Sequence, residues 1–296
     1  MKINAIIKTK FYKSIYVYVI LLLVVTACEN TEYVSPQIEN DGLDVMLRNY
    51  PNLDASKYKD NLIDLSFCNL TSLNARLLNY ENLSQLVINN NILTSLPDSI
   101  QKLSDIGVLN ANNNYLERFP ATLCNLTHLG WFFAMQNRLV AFPDNIERMN
   151  LVQIDFTDNK ITYIPDGLAE NIFISTLQLN ENEISELPDN FTKLVRLQVL
   201  ELGSNKLTKL PNDFGNLNKI TKLKLYNNNL SELPESFCDL VKLDTLYLYN
   251  NNLTKLPKNI GKMKNLKSVF LFGNNFSASE KERIIKEWGY VKELFF

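Results

Sequence analysis

Four cysteines and one histidine are the side chains of this 296-residue chain best suited to nucleophilic, redox or metal chemistry. His128 stands alone, which excludes a histidine-based triad and any metal cluster built on several histidines. Cys124 and Cys238 share one phase of a repeating pattern but lie five repeats apart, about 24 Å at roughly 4.8 Å per strand. A disulfide needs alpha carbons within about 7 Å. These two thiols and Cys68 therefore read as buried, unreactive residues outside any disulfide framework. No Cys-x-x-Cys pair, phosphate-binding glycine loop or helix-loop-helix calcium loop occurs. The residue types point away from catalysis: no catalytic residue, metal site or cofactor is expected, and the chain reads as non-enzymatic.

A different polar residue is periodic. Asparagine recurs at Asn91, Asn114, Asn137, Asn159, Asn182, Asn205, Asn228, Asn251 and Asn274, every 23 residues except for one step of 22. Around each sits one frame, as in Leu83-x-x-Leu86-x-Ile88-x-x-Asn91-x-Leu93-x-x-Leu96-Pro97 and again in Leu243-x-x-Leu246-x-Leu248-x-x-Asn251-x-Leu253-x-x-Leu256-Pro257. An upstream copy reads Ile63-x-Leu65-x-x-Cys68-x-Leu70-x-x-Leu73, with cysteine in the asparagine slot. The apolar residues alternate with period two, so each copy contributes one short strand with its leucines inward. The turn that follows enters the interior, where each unpaired amide or carbonyl costs about 1–3 kcal/mol. Asparagine supplies one acceptor and two donors on a short stem, which accounts for a polar residue at a buried position. The proline at 97, 120, 143, 165, 188, 211, 234 and 257 then stops the strand. Residues such as Ile100 and Leu103 or Phe214 and Leu217 face inward on the return segment, at a spacing that suits a tight helical turn.

This frame resembles the leucine-rich-repeat signature. The resemblance, in the bacterial form with 23-residue LxxLxLxxNxLxxLP repeats, implies an α/β solenoid: a horseshoe with a parallel concave β-sheet, short convex helical turns and helical caps at both ends. Ten repeats are expected over 60–276. The 22-residue step falls between Pro143 and Leu151, on the convex path, and should leave strand register intact. In the following return segment Asn171 breaks the apolar pattern, and Ile172 or Phe173 is expected to fill its place. Residues 41–59 form an amino-terminal cap in which Leu43, Met46 and Leu47 share a helical face. Residues 277–296 form a carboxy-terminal capping helix that opens with a capping box from Ser277 to Glu280, with Ile284, Ile285 and Trp288 as its apolar stripe. Tyr290, Val291, Leu294, Phe295 and Phe296 complete the shield.

Residues 1–27 carry Lys2, Lys8, Lys10 and Lys13 without an acid, followed by an apolar run from Ile15 to Ala27. This is a signal-peptide pattern, too short for a comfortable membrane span of about 20 residues. Val25-Thr26-Ala27-Cys28 resembles the bacterial lipobox, and that resemblance implies lipid attachment at Cys28. An ordinary cleaved signal and an uncleaved anchor are the alternatives. Residues 28–40 then form a flexible, lipidated tether. Glu29 and Glu32 behind the cysteine resemble a surface-export signal, so the domain is expected to be exported and held at a bacterial membrane, with the outer membrane or cell surface as options. Without the four leader lysines, 26 basic side chains face 32 acidic ones, which argues against nucleic acid.

Between the inward leucines, each strand turns two side chains toward the solvent on the concave face. One column runs Asp64, Val87, Asn110, Phe133, Asp155, Gln178, Glu201, Lys224, Tyr247, Phe270, and the next runs Ser66, Asn89, Asn112, Met135, Thr157, Asn180, Gly203, Tyr226, Tyr249, Phe272. Three zones follow. Trp131, Phe133 and Met135 make an apolar patch, Asp155, Asp158, Glu181 and Glu201 an acidic middle, and Tyr226, Tyr247, Tyr249, Phe270 and Phe272 an aromatic field. Cross-strand pairs of this kind stabilise a sheet by about 0.2–1 kcal/mol each. Five rings on the solvent side exceed that need and approach the size of an interaction patch. The reading is a membrane-anchored, non-catalytic module that binds a protein partner on its concave face. A glycan-binding surface protein using the same rings is the alternative.

Overall fold

The structure, a computed structural model, describes residues 62–73, 77–79 and 82–296. Cys28, the leader, the tether and the expected amino-terminal cap lie outside the described residues. Those described belong to one unit, residues 40–296. Its framework is eleven three-residue strands: β1 (Leu62–Asp64), β2 (Gln85–Val87), β3 (Val108–Asn110), β4 (Trp131–Phe133), β5 (Gln153–Asp155), β6 (Thr176–Gln178), β7 (Val199–Glu201), β8 (Lys222–Lys224), β9 (Thr245–Tyr247), β10 (Ser268–Phe270) and β11 (Glu293–Phe295). They form a single parallel sheet in sequence order. Each strand lies one repeat from its neighbours, so Leu200 pairs with Leu177 on one side and Leu223 on the other.

On the convex side, short 3-10 segments replace long helices. Asp98–Lys102, Ala121–Asn125, Asp166–Glu170 and Glu235–Asp239 each start on a proline with φ between −65° and −74°. The ring presets the backbone, and the proline carbonyl accepts the first turn's bond, as in Ile100 N to Pro97 O. The inward residues of these segments and of the shorter Phe191–Lys193 and Phe214–Asn216, among them Ile100, Leu123, Phe191, Phe214 and Phe237, are buried against the inward leucines of the strands.

The periodic asparagines join one repeat to the next. Asn205 is typical: its Oδ1 accepts from Ile184 N at 3.0 Å, and its Nδ2 reaches Leu179 O at 2.9 Å and Leu202 O at 3.1 Å. The same three-way bond recurs from Asn91 to Asn274. Each side chain thus closes valences of its own turn and of the turn before, so the ladder is a property of stacked repeats. In the first repeat Cys68 is half-buried rather than buried. Its amide is closed by Asn91 of the next repeat at 3.0 Å. The residue before each ladder asparagine takes a left-handed conformation, from Asn90 at φ 56° to Asn250 at 54°, and Gly273 at 68° is the glycine among them.

The 22-residue step leaves register intact: Trp131 of β4 stands opposite Gln153 of β5. Asn171 departs from expectation. Ile172 and Phe173 are exposed, and Asn171 itself is buried. Its Oδ1 accepts from Leu151 N at 3.1 Å and its Nδ2 donates to Ile146 O at 2.9 Å, both on the shortened segment. A shorter path leaves backbone groups uncovered, and a second interior amide covers them.

Beyond the last repeat, α1 (Ala278–Glu287) begins on Ser277, whose Oγ accepts from Glu280 N at 3.2 Å. The reciprocal half of a capping box is missing. The Glu280 carboxylate instead accepts from Leu256 N at 2.8 Å and pairs with Arg283 at 2.7 Å. Ile284 and Trp288 are buried, and Trp288 Nε1 donates to Ile260 O at 2.8 Å, whereas Ile285 is exposed and off the core. The last residues also differ from a plain capping helix. Glu293–Phe295 adds β11 to the sheet, with Phe295 opposite Phe270.

Candidate functional site: the concave face

The aromatic field consists of two stacked columns. Tyr226, Tyr249 and Phe272 form one, with centroids 4.8 and 4.6 Å apart and planes within 12°. Tyr247, Phe270 and Phe295 form the other, at 4.7 and 5.0 Å and within 11°. Strand spacing in a parallel sheet is about 4.8 Å, so identical rotamers on successive strands stack without adjustment. Phe295 belongs to this surface although the sequence pattern assigns it to the cap. Its signal was the two-residue alternation of Glu293-Leu294-Phe295, continuing the sheet one strand further.

Gly203 sets where the first column begins. A Cβ there would lie 2.3 Å from Tyr226 Cε1, so the missing side chain lets the ring lie against the backbone. Burial raises the phenol pKa of Tyr226 and Tyr249, with neighbouring charges adding to it, so both present neutral hydroxyls. Inner ring faces are covered by the next ring, and the columns end at Phe272 and Phe295, which are both exposed. What the columns offer to solvent is a double row of ring edges and hydroxyls.

The acidic middle is reorganised by Lys222, which precedes the outward columns and is absent from the sequence-based site. Glu201 is only 3% exposed. Its Oε1 meets Lys222 Nζ at 2.9 Å, and its Oε2 meets Lys224 Nζ at 2.9 Å and Asn180 Nδ2 at 2.8 Å. Burial works to raise this carboxyl, and the hydrogen bonds from Lys224, Lys222 and Asn180 outweigh it, holding the pKa below the usual value. Its charge is thus neutralised within the fold. Asp155 behaves oppositely: burial raises its carboxyl, against hydrogen bonds from Thr157, and Glu201 adds to the rise. Asp158 and Glu181 hold the left-handed turn position and keep their acids toward solvent.

Trp131 is exposed, with Phe133 and Met135 half-buried beside it on the β4 path. No ring stack links them to the columns, which begin at β8. The face therefore carries two apolar areas separated by an acidic centre in which Glu201 is charge-compensated. Among the described residues no cluster of three His, Cys, Asp or Glu side chains could hold a metal, and no helix is long and apolar enough to cross a membrane. Burial pushes the Cys238 thiol up to about 11, which makes it a poor nucleophile.

An open parallel sheet on one side, 3-10 segments on the other and an interior asparagine ladder define the class: a leucine-rich-repeat solenoid. A leucine-rich repeat region family matches residues 190–295, and the chain is a leucine-rich-repeat protein. A leucine-rich-repeat protein of Leptospira interrogans is similar over 79% of this chain, with 33% identity and a TM-score of 0.76. This chain spans 59% of that protein's length. The leucine-rich-repeat ectodomain of a membrane receptor kinase of Arabidopsis thaliana, solved in complex with Casparian strip integrity factor 2, is similar over 71% of this chain and 32% of its own, at 25% identity and a TM-score of 0.54. A plant peptide hormone receptor, at 24% identity over 72% of this chain and 36% of its own and a TM-score of 0.66, shares the fold. No curated protein sequence matches significantly.

Proposed function

We propose that the chain is a non-catalytic protein-binding module, anchored to a bacterial membrane by lipid on Cys28, which receives its partner on the concave face. One observation carries the reading. Six rings stand in two ordered columns on the solvent side of a sheet whose core is already complete on the other side. Rigid aromatic side chains lose little entropy on binding and supply the anchors typical of protein interfaces. The Arabidopsis ectodomain, solved with its partner, supports a protein ligand by analogy of fold.

The column geometry bears on the glycan alternative. Sugars stack on open ring faces, and here the inner faces are taken by neighbouring rings at 4.6 to 5.0 Å. Ring edges and hydroxyls suit a polypeptide's carbonyls and apolar side chains better. Asp155, Asp158 and Glu181, which form no ion pair among the described residues, favour a partner with basic or mixed charge.

The test compares wild type with a Tyr247→Ala, Tyr249→Ala, Phe270→Ala variant as bait in envelope and host extracts. Proteins captured by wild type alone support the proposal. Equal capture by the two, with the variant still folded by circular dichroism, overturns it, and retention of sugar-bearing material alone moves the assignment to glycans.

A further inference from the structure

The turns leading from the convex segments into the strands form one rim of the solenoid, and they are built alike. The amides of Thr127, Ile172, Val195, Val241 and Lys264 each donate to the carbonyl two residues back, at 2.7 to 3.0 Å. Each of these residues lies four positions ahead of its strand. Over the early repeats the rim is polar, with Ser104, Asp105, Thr127, His128 and Asn150. From β6 onward its character changes. Ile172, Phe173, Val195 and Val241 are between 42% and 48% exposed, which no packing requirement explains.

Cations alternate with these apolar side chains: Arg196, Lys219, Lys242 and Lys264, all exposed. The Arg196 guanidinium lies over the Phe173 ring at 4.7 Å, and the Lys264 ammonium lies 5.1 Å from the exposed ring of Tyr290. The acids beside the rim are already matched to lysines of the next repeat: Glu170 to Lys193 at 3.1 Å, Asp239 to Lys262 at 3.3 Å and Asp244 to Lys267 at 3.3 Å. Glu287, whose field reaches Tyr290, stands at the far end. Arg196, Lys219, Lys242 and Lys264 form no ion pair among the described residues. On the opposite rim the pattern is reversed along the array: Ile92 and Tyr115 are exposed in the early repeats, whereas from Asn159 onward the residues directly after the ladder asparagines are Lys160, Glu183, Lys206, Asn229, Asn252 and Asn275, with no apolar side chain among them.

We propose that the rim from Ile172 to Lys264 rests on an anionic lipid surface. The apolar side chains enter the interfacial layer and the four cations reach the phosphate headgroups. Exposed apolar and aromatic groups flanked by unneutralised cations are what such a surface recognises, since the cations keep their charge in the headgroups while their stems and neighbours leave water. Four strand steps at about 4.8 Å make this a line of roughly 19 Å along one edge of the sheet. Because the strands run from this rim to the other, a rim-down attitude leaves the concave face open sideways. The proposal is independent of what the concave face binds.

The test uses the full chain and sedimentation with phosphatidylcholine vesicles, with and without phosphatidylglycerol. It compares wild type with one variant carrying Arg196→Gln, Lys219→Gln, Lys242→Gln and Lys264→Gln, and another carrying Phe173→Ser and Val241→Ser. All three share the same amino-terminal segment with its four lysines, so its contribution cancels when each variant's ratio of anionic to zwitterionic binding is divided by that of wild type. Wild type should prefer anionic vesicles by roughly tenfold or more, a preference that falls with salt. The glutamine variant should lose it, and the serine variant should weaken binding to both vesicles while melting like wild type. Amides at 172–174, 195–197 and 241–243 should exchange more slowly on anionic vesicles. A wild-type ratio near one, an unchanged ratio in the glutamine variant, or a rim occupied by a soluble protein without vesicle preference would overturn the proposal.

Discussion

Two ladders run the length of this solenoid with the same repeat, and they meet different ends. The interior ladder of asparagines makes every bond inside the protein: Asn228 accepts from Leu207 N at 2.9 Å and donates to Leu202 O at 2.9 Å and Leu225 O at 3.1 Å. The concave ladder of aromatics covers its inner faces by stacking and leaves its edges and its last rings, Phe272 and Phe295, to solvent, from β8 to β11. Periodicity is common to both and separates nothing. Saturation separates them, because a side chain with every valence closed is structural, and one with an open edge has capacity to bind. The asparagine ladder also covers all nine full repeats, whereas the aromatic columns cover only the last few, as a local surface feature would.

The largest break of this comparison is Asn228→Ala. It strands one buried amide and at least two buried carbonyls, so the stability loss should be about 3–5 kcal/mol, read as a lower urea midpoint. A loss under about 1 kcal/mol would mean that water or relaxation closes those valences and that the ladder is not what joins the repeats.

The buried charge of Glu201 gives the next effect. Glu201→Gln leaves Lys222 and Lys224 facing each other without a counter-charge and should cost about 1–3 kcal/mol at neutral pH. The folded carboxyl titrates below its ordinary 4.5, so its contribution is present above that pH and is lost as pH falls through the lower folded value. The variant should therefore lose that part of the acid dependence in urea titrations run at a series of pH values. Asp155 carries the opposite sign. Its raised pKa opposes folding once the pH climbs above its ordinary 3.8, and Asp155→Asn should gain slightly at neutral pH. An Asp155→Asn that loses stability would reverse the sign assigned to that group.

A smaller perturbation reaches the aromatic side alone. Gly203→Ala places a Cβ 2.3 Å from Tyr226 Cε1 and should tilt that ring out of the first column. We expect about 1–2 kcal/mol of destabilisation and weakened partner capture. Unchanged capture would show that the first column is not part of the binding surface, leaving the second column and the Trp131 patch.

Much of this was legible in the sequence because the repeat is strict. The strand register, the interior role of the asparagines and the tight convex turns follow from residue types at fixed spacing, and the burial of Trp288 follows from helical periodicity. The misses fall where a residue's role depends on a neighbour 23 positions away or on geometry at the end of the array. Glu201 looked like a free acid because its partners Lys222 and Lys224 lie one repeat on. Asn171 looked like a break because the backbone groups it closes belong to the previous repeat. Phe295 looked like part of a cap because a single strand of three residues gives a weak signal of its own. The rim from Ile172 to Lys264 escaped because it is spread over five repeats, one or two residues in each.

The smallest prediction concerns the position just before each ladder asparagine. Gln136 sits there at φ 54°, in a left-handed conformation that a side chain disfavours by roughly 1–2 kcal/mol relative to glycine. Gln136→Gly relieves that strain but gives the unfolded chain more freedom, so the net gain should be only about 0.5 kcal/mol. Gly273→Ala runs the other way: φ is 68°, and a Cβ would fall 2.1 Å from Asn250 Oδ1, so we expect a loss of about 1–2 kcal/mol. Measured together by urea denaturation, the two substitutions should have opposite signs although they occupy one phase of the repeat. If both destabilise, the left-handed turn is held by side-chain contacts at Gln136 as firmly as by the interior asparagine beside it. The exposed row before the ladder would then share the structural role assigned to the buried one.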